Sequence, residues 1–138
     1  MSDVGTFRTT VAIEHPARRG TLRTVADVLV DTGSDLTWIP RAVLEDLGVA
    51  RERTQRLRLA DGRILEHGVG FAIVHVEGRS TNDDVVFAEP GDLVLLGARS
   101  LEGLNLRVDP SVRRLVDGGP IVAASAQGKG SRAQKAIA

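Results

Sequence analysis

The chain has no cysteine, which excludes disulfides and thiolate-held metal. Aromatic residues are scarce, 3% of 138, and none interleaves with Arg51, Arg53, Arg56 and Arg58. Nucleic-acid surfaces pair cations with stacking rings, so these arginines read as the solvated face and edge of a strand. No stretch approaches the ~20 apolar residues of a membrane span, and Met1 to Arg8 hold an acid and no long apolar run, unlike a secretory leader. A cytoplasmic location is the expectation. Net charge is lacking as well: 18 Lys and Arg balance 18 Asp and Glu, so nothing draws the protein to nucleic acid or to a membrane. Lysine is confined to Lys129 and Lys135, and the arginine bias points to a bacterial genome rich in G and C. His15, His67 and His75 show no metal-ligand spacing and are expected at surface or hairpin positions. No metal or other cofactor is called for.

At 138 residues the chain fits one domain with a real core. Residues 1–124 carry 15 Arg against 18 acids, a net −3, whereas Lys129, Arg132 and Lys135 give the remainder +3 with no acid. The expected organisation is therefore a domain over 1–124 and a basic, disordered tail over 125–138. Phe7, Thr9, Val11 and Ile13 alternate with polar residues, His15 to Gly20 breaks the run, and Thr21 to Val30 resumes it, which predicts a hairpin. Pro40 opens a short helix in which Val43, Leu44 and Leu47 share a face and Gly48 ends it. Leu57 and Leu59 alternate with arginines, Asp61-Gly62 supplies a tight turn, and Ile64 to Val76 forms the return arm. Gly78 makes another turn, Val85 to Phe87 a strand, Leu93 to Leu96 another, Ala98 to Leu104 a short helix, and two late strands follow. The fold class is all-β, with two short helices.

The chemistry concentrates at Val28-Leu29-Val30-Asp31-Thr32-Gly33-Ser34, where one carboxylate ends an apolar strand and a hydroxyl, a glycine and a second hydroxyl follow. Such an acid is held rigid and largely dry; Thr32 can lock the loop, Gly33 lets the backbone come close, and Ser34 can donate to the carboxylate. Asp35-Leu36-Thr37-Trp38-Ile39-Pro40 continues the pattern, and Leu93-Val94-Leu95-Leu96-Gly97 gives a second apolar run ending in glycine. Together these motifs resemble the retropepsin-like (clan AA) aspartic proteases, in the small single-lobed bacterial form, over about Val11 to Leu115. In that clan the Asp-Thr-Gly-Ser segment is the catalytic loop and the apolar-apolar-Gly segment threads beside it.

The resemblance implies a closed β-barrel lobe, one per chain, and an aspartic endopeptidase that needs no cofactor. A chain of this length holds one lobe, and Asp117-Gly118-Gly119, with no hydroxyl after the acid, reads as a turn. The second catalytic acid then comes from a second copy, with Asp31 and its mate on the two-fold axis of a homodimer. Two carboxylates so close cannot both ionise cheaply and share one proton, the aspartic-protease dyad being a standard example. Asp31, Thr32 and Gly33 are the implied catalytic loop. Ser34, Asp35, Trp38, Leu95, Leu96 and Gly97, with Asp61, Gly62 and Ile64 of a flap hairpin, are the implied contacts to an extended peptide. Asp35 either meets that peptide or pairs with an arginine. In retroviral members an arginine directly follows the apolar-Gly strand and braces that acid; here Ala98 stands there and Arg99 comes one step later. The pepsin branch supports a flap tyrosine from the equivalent of Trp38, but this chain has no tyrosine, so Trp38 reads as a core or pocket-wall residue. The competing functional reading is a dimeric peptide-binding or assembly module that kept this fold without efficient catalysis.

Overall fold

The structure, a computed structural model, describes residues 7–125; the expected tail lies outside the described residues beyond Ser125. Strand β1 (Phe7–His15) and strand β2 (Arg18–Val30) form an antiparallel hairpin running from Phe7 opposite Val30 to His15 opposite Arg18. The register shifts between Thr9 and Val11, where Asp27 takes a left-handed φ of 57°. One extra residue in β2 reverses its side-chain alternation. Val25, which packs against the core, and the fully buried Val28 and Val30 can therefore face the same side although 25 and 28 differ in parity. The bulge thus sets which way the strand presents its last residues before Asp31.

Strand β3 (Thr37–Pro40) leads into helix α1 (Arg41–Asp46), whose Val43 and Leu44 are buried, and Gly48 closes it at φ 78°. Strands β4 (Arg53–Arg58) and β5 (Ile64–Val76) form the Asp61-Gly62 hairpin, with Arg58 opposite Ile64. Glu77 and Gly78, both at positive φ, turn β5 into β6 (Arg79–Ala88), the conformation that matches strand twist in a two-residue hairpin. Strand β7 is only Leu95–Leu96, helix α2 spans Ala98–Leu104, and β8 (Leu106–Asp109) and β9 (Arg114–Asp117) make a separate two-stranded sheet. The main sheet runs β1-β2-β7-β3-β6-β5-β4, and β1 also pairs with β5, so six strands return on themselves and β4 lies outside the ring. The molecule is mostly β with two short helices.

The strand expected from Val85 begins six residues earlier, because Arg79 to Asp84 pair with β5 despite their polarity. The strand expected over Leu93 to Leu96 is shorter, since β7 is squeezed between β2 and β3 and pairs only at its last two residues.

Two apolar clusters fill the fold. The larger holds Val11, Ile13, Val28, Val30, Ile39, Leu44, Val74, Val85, Phe87 and Leu96, all at most 1% exposed, each contributing about 1.5–3 kcal/mol on burial. The smaller holds Leu36, Trp38, Val69, Val86, Ala88 and Leu95. Inside the β1 face lies one acid, Glu14, 3% exposed. It accepts from Gly20 N–H at 2.5 Å, lies 2.8 Å from His75 Nε2 and pairs with Arg19 Nε at 3.1 Å. These contacts, the Gly20 N–H first and His75 next, hold its pKa at about 2, below the ordinary 4.5. A carboxylate so depressed stabilises the fold above its unfolded pKa and loses that contribution as pH falls toward the folded value. Glu14→Gln is therefore expected to be clearly less stable than the parent at pH 7, with the gap closing as pH falls from 4.5 toward 2. Urea melts at pH 7 and pH 3 check this; a gap of equal size at both would contradict it.

Candidate active site

Strand β2 delivers Asp31 through a short parallel pairing with β7: Leu29 N–H donates to Val94 O at 3.1 Å and Asp31 N–H to Leu96 O at 3.0 Å. The chain then turns sharply, Ser34 N–H donating to Asp31 O at 3.2 Å. Asp31 is half-buried, and its Oδ1 accepts the Gly33 N–H at 2.9 Å. A Cβ at Gly33 would stand 3.3 Å from that oxygen, so the glycine keeps the carboxylate uncrowded. Thr32, Gly33 and Asp35 are exposed beside it.

Ser34, expected to donate to the carboxylate, instead donates from Oγ to Leu36 O at 3.0 Å. The reason is the turn itself, which supplies Asp31 with a backbone donor and leaves Ser34 to fasten the loop's far side. Arg99 does not meet Asp35. Its guanidinium lies 3.6 Å from Asp83 and 4.0 Å from Asp84, while its backbone N–H donates to Asp35 O at 3.0 Å. The Asp35 carboxylate has no ion-pair partner among the described residues. Asp117 ends β9 and bonds Arg79 Nη2 at 2.9 Å; that guanidinium holds its carboxyl below the usual range.

Alternation separates the other expected contacts. Leu95 joins Trp38 in the smaller cluster, against which Leu29, Leu57 and Leu59 also pack. Leu96, expected to line a subsite, is fully buried in the larger cluster, and Val94 packs there too. Adjacent strand residues point to opposite faces, so Leu95 and Leu96 cannot share a wall. Ile64 is 40% exposed and belongs to neither cluster. Gly62 sits at the hairpin tip with φ 91°. Asp61 turns back on its own turn, accepting from Arg63 N–H at 3.0 Å and Arg63 Nε at 2.8 Å, which lowers its pKa, the backbone donor first.

His67 overturns the expected surface position. Its side chain is 8% exposed, its ring centroid lies 5.2 Å from that of Trp38, and Nε2 is 2.6 Å from Asp92 Oδ2. Its Nδ1 is buried without a partner among the described residues. The parity that buries Val69 places His67 on the same side of β5, a signal present in the sequence. Trp38 is 7% exposed in the cluster beside Leu95.

A family model described as "gag-polyprotein putative aspartyl protease" matches residues 23–103, more than half of the chain and the whole of the Asp31 loop and the Leu95-Leu96-Gly97 segment. The chain belongs to that family. The solution structure of simian foamy virus (mac) protease is similar at 23% sequence identity over 70% of this chain and 92% of that one, with a TM-score of 0.47. No curated protein matches the chain. In this aspartyl-protease family member the Asp31 backbone N–H is bonded to Leu96 O and its carboxylate accepts the Gly33 N–H.

Proposed function

We propose that the protein is an aspartic endopeptidase that works as a homodimer, with Asp31 of each copy contributing one carboxylate to a shared dyad. The observation that carries this reading is the half-buried Asp31, whose carboxylate accepts the Gly33 N–H while its own backbone N–H is fastened to Leu96 O, in a chain with one Asp-Thr-Gly-Ser loop. The charged member of the dyad takes a proton from water while the protonated member hydrogen-bonds the scissile carbonyl, and the roles exchange as the tetrahedral intermediate collapses. Thr32 and Gly33 shape the loop. An extended peptide lies between loop and hairpin, with Ser34, Asp35 and Gly97 near its backbone and Trp38, Leu95 and the hairpin residues Asp61, Gly62 and Ile64 along its course. The setting proposed is cytoplasmic and bacterial, on composition alone.

Because each chain holds half of the site, activity per chain is expected to fall as dilution drives the dimer apart. Cleavage of a peptide library by purified protein, followed across a concentration series with light scattering alongside, tests this. Constant activity per chain from a monomer contradicts the shared site; a stable dimer that binds peptides and cuts none supports the non-catalytic module.

A further inference from the structure

Thr37 and Ser100 are polar side chains at 0% exposure. Their hydroxyls lie 2.6 Å apart, Gly97 N–H donates to Thr37 Oγ1 at 3.0 Å, and Ser100 Oγ donates to Asp83 Oδ2 at 2.9 Å. The direction of this chain is fixed by counting protons. A carboxylate accepts, so the one Ser100 proton goes to Asp83; Thr37 must then donate to Ser100 Oγ, which leaves its lone pair for Gly97. Every donor points toward Asp83, and each bond polarises the next.

The other end of the relay is the Asp31 loop. Ala98 N–H donates to Ser34 O at 2.7 Å and Arg99 N–H to Asp35 O at 3.0 Å, so the start of α2 grips the loop directly after the acid. Asp31 N–H is bonded to Leu96, the residue before Gly97. We infer that Asp83 and Ser100 are positioning residues for the Asp31 loop, acting through Thr37 on Gly97; the inference rests on the aspartic-endopeptidase reading. Asp83 lies on β6, and its hydrogen-bond and ion-pair partners are Asp84 N–H, Ser100 and Arg99 rather than the residues of the loop. Remove it, and the buried Ser100 proton loses its acceptor and turns toward Thr37, whose own proton then competes for the space of the Gly97 N–H. A displacement of Gly97 moves Leu96 and Asp31 with it. In a two-fold dimer the same error enters from both copies, so the distance between the acids takes it twice.

The test compares Ser100→Ala, Asp83→Ala, Asp83→Asn and Arg99→Met in the full-length protein by amide hydrogen exchange and by steady-state kinetics. Asp83→Asn keeps an oxygen acceptor for Ser100, and Arg99→Met removes the guanidinium that faces Asp83 and Asp84 while leaving every hydrogen bond of the hydroxyl chain in place. The expected result is about tenfold faster exchange at Gly97, Ala98 and Arg99 in the two alanine variants, with the β1–β2 amides unchanged. Asp83→Asn and Arg99→Met should stay close to the parent. In cleavage, kcat should fall about tenfold with KM nearly constant in the alanine variants, and Asp83→Asn should restore most of it. Exchange at Gly97 to Arg99 that matches the parent, or that rises equally across all strands, overturns the relay. If the parent cuts no peptide, the endopeptidase reading fails on that result, and the exchange pattern still decides the relay.

Discussion

Asp31→Asn is expected to lower kcat by at least about 10³-fold while leaving fold and dimer intact. The amide has the shape of the carboxylate and keeps an oxygen for the Gly33 N–H, which now stands 2.9 Å from Oδ1. What it loses is the ability to take a proton from water. Thermal melting and sedimentation report whether the variant is assembled, and a cleavage assay reports the chemistry. A folded, dimeric variant with more than a small fraction of parental turnover would remove Asp31 from the mechanism.

Gly97→Ala carries the largest expected cost in stability. A Cβ there would stand 2.5 Å from Leu36 O, 2.6 Å from Leu36 C and 2.9 Å from Ser34 O. All three atoms are main chain, and the loop that owns them is tied to α2 by the Ala98 and Arg99 amides, so none can swing aside. Forcing a methyl into such packing costs about 3 kcal/mol, and the relief available is to push the Asp31 loop outward, which should also end cleavage. Gly78→Ala is the control: φ is 78°, but nothing lies within 4 Å of the new methyl, so the cost is conformational and about 1 kcal/mol. Denaturant melts of the two variants should separate them clearly; equal, mild losses would contradict the steric account.

Much of the fold and of the Asp31 loop was legible because local signals and tertiary structure agree there. Asp-Gly at 61–62 and Gly78 mark turns that only positive-φ residues make easily, and the apolar run ending at Val30 buries alternate residues as its pattern implies. What stayed hidden depends on partners far along the chain. The bulge at Asp27 is invisible to a period-two reading, since Asp in a strand signals only weak β propensity. Arg79 to Asp84 look like loop, yet β5 recruits them, and Asp83 then reaches Ser100, seventeen residues away. Leu95 and Leu96 are equally apolar, so composition could not say that one joins Trp38 and the other the main core. His67 is buried by strand parity, which the sequence carries, whereas Glu14 has the parity opposite to Val11 and Ile13 and is buried all the same; their partners Gly20, His75 and Asp92 come from other strands and turns. At the site, Asp31 and Gly33 were recognisable by type and order. Ser34 and Arg99 were recognisable too, but their partners were not, because the turn gave Asp31 a backbone donor and β6 offered Arg99 two acids.

The shared dyad is tested most directly by mixing. Parent and Asp31→Asn chains, unfolded and refolded together at fixed total concentration, form mixed dimers holding one acid. If the site needs Asp31 from both copies, activity falls as the square of the parental fraction. Activity that falls in simple proportion to that fraction would mean that each chain works alone, and the account of a two-chain active site would be wrong.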